Sequence, residues 1–379
     1  MNEEKKWRSE FPITRKYCYL DHAGIAPIPL RVRKAVDAFL RQSAEGGAFS
    51  YGTWLAEIAR VRTLSAKLIG AEPEEIAFVK NTSHGLSLVA EGLSWKAGDN
   101  MVVYEKEFPA NLFPWLGLRR KGVDVRMLPS RDGAVLFDDI EQLIDSRTRL
   151  IAISSVQFQN GYRIDLQRLG ELCAAKSVHL CVDAIQSLGA FPLDVKRYGI
   201  DFLAADGHKW LLSPEGIGIF FCRPERAAQL YPPLVGWKSV ENEHDFDDPS
   251  FHLKKNAQRF EEGSLNVLGI IALGASLELL FEVGIDRIAE RVQDLGDIII
   301  REGEKRGFEL KSPRKREDRG GIVSLGGNFD PLYVRDLLKE RGIMVNVRGG
   351  ALRLSPHFYN TEAEVLRCFQ EVDDILTTK

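Results

Sequence analysis

The chain has 379 residues, 44% of them apolar, with 51 basic against 54 acidic side chains and a formal net charge of -3. That length supports one large compact unit or two domains with a full core, and the balanced charge gives no basic face for nucleic acid. The five cysteines, Cys18, Cys173, Cys181, Cys222 and Cys368, are odd in number and include no CxxC pair, which fits reduced thiols in a cytoplasmic protein.

The first segment, Met1-Asn2-Glu3-Glu4-Lys5-Lys6-Trp7, carries charge with no apolar run behind it, so no signal peptide is expected. Ile76-Ala77-Phe78-Val79 predicts a strand, followed by Asn81-Thr82-Ser83-His84-Gly85 and a helical run from Leu86 to Leu93. Further strands are expected at Met101 to Tyr104, Leu150 to Ile153, His179 to Val182, Phe202 to Ala205 and Ile217 to Phe221. Their unbroken apolar character predicts burial on both faces, and their alternation with helical segments predicts an α/β fold with a mostly parallel sheet sandwiched by helices. A polar stretch from Glu241 to Ser250 interrupts the pattern, and helices dominate from there to about residue 307. Within them, Leu268 to Val283 is too short for a bilayer and carries Glu278, so it reads as a buried helix and no membrane span is expected. The last part predicts strand Gly321 to Leu325, helix Leu332 to Glu340, strands Ile343 to Val347 and Ala351 to Leu354, and helix Glu362 to Leu376, a small α+β domain. The basic run Lys311 to Arg316 is followed at once by Glu317 and Asp318 and reads as a solvated loop.

Val182-Asp183-Ala184-Ile185-Gln186 and Asp206-Gly207-His208-Lys209-Trp210 put an acid at one strand end and a lysine at the next. An Asp against a pyridine nitrogen keeps it protonated, and a Lys amine forms an imine with an aldehyde; together they describe a pyridoxal phosphate site. Taken singly, each reads as a turn cap or a surface lysine. A phosphate needs backbone N–H groups at a positive helix end, which Asn81 to Gly85 supplies. To serve as a base, Lys209 must be neutral, so burial and nearby positive charge have to lower its pKa. A metal hydrolase built on His244, Asp245, Asp247, Asp248 and His252 is disfavoured because no HExxH or comparable spacing occurs. No GxGxxG follows a first strand, which disfavours a dinucleotide site.

From Tyr19-Leu20-Asp21-His22-Ala23-Gly24 to Leu352-Arg353-Leu354-Ser355-Pro356-His357 the chain resembles the class V aminotransferase family of fold-type I pyridoxal phosphate enzymes. Relatives in that family include cysteine desulfurases, selenocysteine lyases, kynureninases and isopenicillin N epimerases. The resemblance implies a large cofactor-binding domain over 20–265, a small domain from 1–19 and 266–379, and the cofactor in the cleft between them. It implies Thr82, Ser83 and His84 around the phosphate, Phe108 stacked on the cofactor ring, Asp183 at the pyridine nitrogen and Gln186 at the ring hydroxyl. His208 is expected near the phosphate, and Lys209 is expected to carry the cofactor and act as base. The segment Arg259 to Asn266 resembles one that crosses a dimer interface, so Ser264 is expected at the neighbouring subunit's phosphate, in an obligate homodimer with a shared site. Trp237 is expected to line the same entrance. Arg353, helped by Arg348, is expected to bind the substrate carboxylate. Asp206 is a departure, standing where many desulfurases have a Ser that contacts phosphate. Facing carboxylate and phosphate repel, so Asp206 is expected to turn elsewhere.

Desulfurases need a nucleophilic Cys ahead of the late arginine, and Arg348-Gly349-Gly350-Ala351-Leu352-Arg353 holds none, while Cys368 falls in the terminal helix. A Cys-dependent desulfurase is therefore not expected. The leading expectation is an aminotransferase acting on an amino acid or amine through a Lys209 imine and a Cα carbanion. The alternative is a lyase, cleaving C–S or eliminating a β substituent as selenocysteine lyases do, or an epimerase on the same scaffold. A binding protein that keeps the fold without turnover is argued against by the intact set of Lys209, Asp183 and Arg353.

Overall fold

A computed structural model describes residues 3–377; Met1, Asn2, Thr378 and Lys379, which the signal-peptide and domain expectations include, lie outside the described residues. Among these, the strands form a seven-stranded sheet, a four-stranded sheet and a two-stranded pair.

The large sheet runs in the order Ile76–Val79, Gly218–Cys222, Phe202–Asp206, His179–Asp183, Thr148–Ser154, Asn100–Tyr104, Asp124–Leu128. All of its strands are parallel except Gly218–Cys222, which is antiparallel to both neighbours. Val102, Val103, Ile151, Ala152, Leu180, Val182, Leu203 and Ala204 are fully buried in it, as expected of strands covered on both faces. Asp124–Leu128 escapes the sequence reading for a physical reason: it is an edge strand whose Asp124 is exposed and Arg126 half-buried, so it lacks the continuous apolar run.

Val267–Val283 is the buried helix expected from sequence, packed between Leu30–Gly46 and Tyr51–Ile69. Its apolar character all round follows from contacts on every side, with Ile270, Leu273, Leu277 and Leu280 joining the core under the large sheet. Among the described residues no single helix is long and apolar enough to cross a membrane. A separate core, from Leu20 through Leu295, Ile299, Val323, Leu338 and Phe369, lies under the four-stranded sheet. The sequence reading of Ile343 to Val347 as one strand is corrected here. Ile343–Met344 pairs in parallel with Cys18–Tyr19, whereas Asn346–Arg348 pairs antiparallel with Ala351–Leu354; one segment serves two ladders of opposite sense and must break between them, at Val345. This pairing brings the N-terminal Tyr19–Gly24 stretch beside the late arginines.

Thr148–Ser154 and His179–Asp183 end level, Ser154 opposite Asp183, and Phe202–Asp206 runs two residues further, from Ala204 opposite Asp183; ligands of such sheets bind beyond these carboxyl ends. The helix Thr82–Gly92 starts at the same edge, one turn earlier than the sequence predicts, because Asn81 caps it by accepting from the His84 N–H at 2.9 Å. Its close approach to the sheet depends on Gly85: a Cβ there would stand 2.7 Å from the Ala204 Cβ and 3.3 Å from the Phe220 ring. Gly85→Ala is therefore expected to cost about 1–3 kcal/mol, read as a lower urea midpoint with unchanged m-value. An unchanged midpoint would show that the helix has room to move.

Candidate active site

A cavity of about 550 Å³ opens at the carboxyl edge of the sheet, lined by Asp183, Lys209, Phe108, Thr82, Arg353 and Asp21 among others. It is within the size range of small-molecule sites. Lys209 follows the strand Phe202–Asp206 in a turn pinned by the Gly207 N–H to Ile217 O and by the Leu212 N–H to Lys209 O. Leu212 takes φ +58 and is fully buried, a strained conformation for a bulky residue that surrounding packing must hold.

The Lys209 amine is pushed down to about 8 by burial, with Arg353 acting in the same direction and Asp183 opposing. Asp183 is pushed up to about 6 by burial, while the Ile185 N–H at 3.0 Å and Lys209 pull it down. Burial thus disfavours charge on both groups. Small cyanate reagents are expected to carbamylate Lys209 of the cofactor-free protein with a midpoint near pH 8. Asp183→Asn is expected to move that midpoint lower, because Asp183 holds the amine's proton; peptide mass mapping across pH reads both. A midpoint near the ordinary lysine value of about 10.4 would show that the amine is not desolvated.

At the helix start, Thr82 accepts at its hydroxyl from the Asp206 N–H at 3.0 Å, so its own proton is free for the cavity. Ser83 is exposed at the mouth. His84 does not line this cavity; its Nδ1 accepts from the Lys80 N–H at 3.3 Å, and its buried Nε2 makes no hydrogen bond. Asp206, expected from sequence to turn away from the phosphate, is one of the residues that line the cavity. Its buried Oδ1 lies 3.1 Å from His208 Nδ1, close but unaligned, so neither atom makes a hydrogen bond.

Phe108 stands 41% exposed over the mouth, its ring centroid 5.6 Å from Lys209 Nζ, with Phe158 edge-on against it at 5.2 Å. Gln186 lines the floor, accepting from Trp210 Nε1 at 2.9 Å and donating to Ala23 O at 3.1 Å; one amide N–H is left for a ligand. Arg353 is buried, donates to Phe158 O and pairs with Asp21 at 3.1 Å, while its Nε has no partner. Arg348 lines the same cavity and donates to Asn346 Oδ1 and Val347 O. Ser264 is not brought to this cavity within one chain; it borders a separate hollow with Tyr51, Leu55 and Lys238. Trp237 is 40% exposed and packs against Phe246 at 6.1 Å rather than against the cavity.

Three contributors escape the sequence reading. Asp21 anchors both Arg353 and, at 2.7 Å, Asn346. Phe158 supplies the carbonyl that holds Arg353. Glu107 is buried behind Phe108 and pushed up to about 7 by burial, although Ser154 and Gln157 donate to it. Only Asp21 carries a sequence signal, as an acid closing a short apolar strand before Gly24.

The cavity fits pyridoxal phosphate: free first-turn N–H groups and hydroxyls for a phosphate, an acid whose second oxygen is unbonded for a pyridine nitrogen, an aromatic face, and a desolvated amine. Among the described residues no group of three or more His, Cys, Asp and Glu side chains could hold a metal ion. Asp248 bonds instead to Ser250 and Asn242. The basic side chains of the 311–316 run pair with acids on the surface, Arg316 with Asp294 and Arg314 with Glu304.

The model of the class V aminotransferase family matches residues 18–367. A protein of Methanothermobacter thermautotrophicus named probable cysteine desulfurase is 30% identical over 97% of this chain and 97% of the relative. An uncharacterized aminotransferase of Bacillus subtilis, YcbU, is 29% identical over 97% of each. Among solved structures, the cysteine desulfurase of Thermococcus onnurineus NA1 superposes with a TM-score of 0.90 at 27% identity, covering 99% of this chain and 98% of that one. The expectation that sets this chain apart from desulfurases gains no support from these relatives.

Proposed function

The chain belongs to the class V aminotransferase family, whose cofactor is pyridoxal phosphate, and from that premise we propose that it removes the Cα proton of an amino acid held in this cleft. The observation that carries the reading is the pairing of Lys209 and Asp183 in one buried cavity, each near enough to shift the other's titration. Bound there, pyridoxal phosphate supplies an aldehyde for amines and a ring that draws electrons from the substrate Cα. Thr82, Ser83 and the helix start hold its phosphate, Asp183 keeps a proton on its ring nitrogen, and Phe108 covers its face. Arg353 receives the substrate carboxylate with its unpartnered Nε, while Asp21 keeps the guanidinium aimed. Lys209, neutral above about pH 8 in the free protein, takes the Cα proton and returns it.

Loss of a sulfur substituent from the β carbon is the outcome we favour, because the relative at 30% identity is named a probable cysteine desulfurase. The five cysteines are all buried, and among the described residues none lines the cavity. Sulfur removed here leaves without a cleft thiol to receive it. That same feature favours a second reading, transamination, in line with the name of the B. subtilis relative. Incubation with cysteine and its S-substituted derivatives separates the two: sulfide or thiol with ammonia and pyruvate supports the lyase, and keto acid formed in proportion to an added amino acceptor supports the transaminase.

We further infer a homodimer in which Ser264 reaches the neighbouring site, since Ser264 lies outside its own cleft and the surface near it exposes Tyr51, Leu55 and Trp237. Sedimentation of a monomer at micromolar concentration would contradict it. Arg353→Lys, which loses the fork geometry, is expected to raise KM for the amino acid about tenfold to a hundredfold with a smaller change in kcat, roughly 1.4–2.8 kcal/mol. An unchanged KM would remove Arg353 from the carboxylate site.

A further inference from the structure

Beside the cofactor cavity lies a second chamber of about 280 Å³, and Arg348 lines both. The C-terminal sheet is their common floor. Arg353 pairs with Asn346 on one side and with Ser324 on the other, and directly paired residues share a face. Asn346 and Arg353 line the first cavity and Ser324 the second. Strands lie about 4.8 Å apart, so Ser324 in the chamber floor stands one strand over from Arg353.

Its charge is lopsided. Lys106, Lys311 and Arg348 line it against one carboxylate, Asp132. Among the described residues Arg348 donates to the neutral oxygens of Asn346 and Val347, while Lys311 also reaches Glu309. On the wall, the buried Gln157 gives its Nε2 to Glu107 and leaves Oε1 with no hydrogen bond, an unmet acceptor that a polar occupant would satisfy. Removal of the Cα proton uses neither lysine nor Gln157.

We propose that this chamber binds the far end of the substrate side chain and selects an amino acid that terminates in an anionic group. The inference rests on the reading of Arg353 as the α-carboxylate site. With one carboxylate on Arg353, a side chain a few bonds long carries its second anion past Arg348 to the two lysines. Lys106 and Lys311 are exposed at this chamber, and a neutral terminus would forgo their attraction. Gln157 Oε1 then accepts from an N–H or O–H beside the anion, or from a water held by it.

Calorimetric titration of the pyridoxal phosphate-saturated protein with glutarate and with butyrate tests this. Glutarate is expected to bind at least tenfold more tightly, and the double substitution Lys106→Gln, Lys311→Gln is expected to cut that advantage to threefold or less. In turnover, the ratio of kcat/KM for an acidic over a neutral side chain of equal length should fall in parallel. Equal binding of the two acids, binding of neither, or an advantage that survives the double substitution overturns the proposal. Glutarate has no amine and is not turned over, so a failure of Lys209 chemistry leaves this measurement valid, and a failure here leaves Lys209 chemistry intact.

Discussion

Replacing Lys209 by alanine is expected to lower turnover by about a thousandfold to ten-thousandfold, the range that a positioned acid–base group contributes, and to remove covalent attachment of the cofactor as well. The expectation follows from where the amine sits. Burial holds it near 8 rather than at the ordinary lysine value, so a substantial fraction is neutral at physiological pH. The described lining contains no second lysine: Asp21, Asp183 and Asp206 are acids, and Arg348 and Arg353 do not give up a proton. His208 is the one neighbouring base, and its Nδ1 faces Asp206. Circular dichroism and cofactor uptake should be retained, since a side chain is deleted toward a cavity rather than from the core. Turnover above a tenth of the parent value would show that another group takes the Cα proton.

Asp183→Asn is expected to reduce kcat by about a hundredfold to a thousandfold, the scale of losing one preorganised electrostatic partner, roughly 2.7–4 kcal/mol. An amide cannot hold a proton on the ring nitrogen, and the electron demand at Cα drops. Stability separates this role from a structural one. In the cofactor-free protein Asp183 is pushed above the ordinary carboxylate value to about 6. The folded state therefore binds its proton more tightly than the unfolded state, and ionising it costs stability as pH rises from about 4 to about 6. The amide escapes that cost, so above pH 6 the variant should melt no lower than the parent while losing activity. A variant that keeps full kcat, or that loses activity only in step with melting, contradicts the assignment.

The sheet was largely legible because five of its central strands are buried on both faces and read as plain apolar runs, His179–Asp183 and Phe202–Asp206 above all. The edge strand Asp124–Leu128 hid behind its solvent-facing charges, and the two short ladders at Ile343–Met344 and Asn346–Arg348 hid because one apolar run serves both. In the site, Asp183 and Lys209 could be read since Asp183 ends one strand and Lys209 sits in the turn just after the neighbouring one, which topology brings together. The contacts of Asp21 and Phe158 with Arg353 could not, because they span 332 and 195 positions. Ser264 lies where one chain by itself gives it no site to serve.

The most direct measurement is to saturate the purified protein with pyridoxal phosphate, reduce it with borohydride, digest it and map the adduct. A cofactor mass on the peptide containing Lys209, and on no other lysine, is the expected result. An adduct on a different lysine, or no adduct with the cofactor bound, would contradict the assignment of this cavity as the active site.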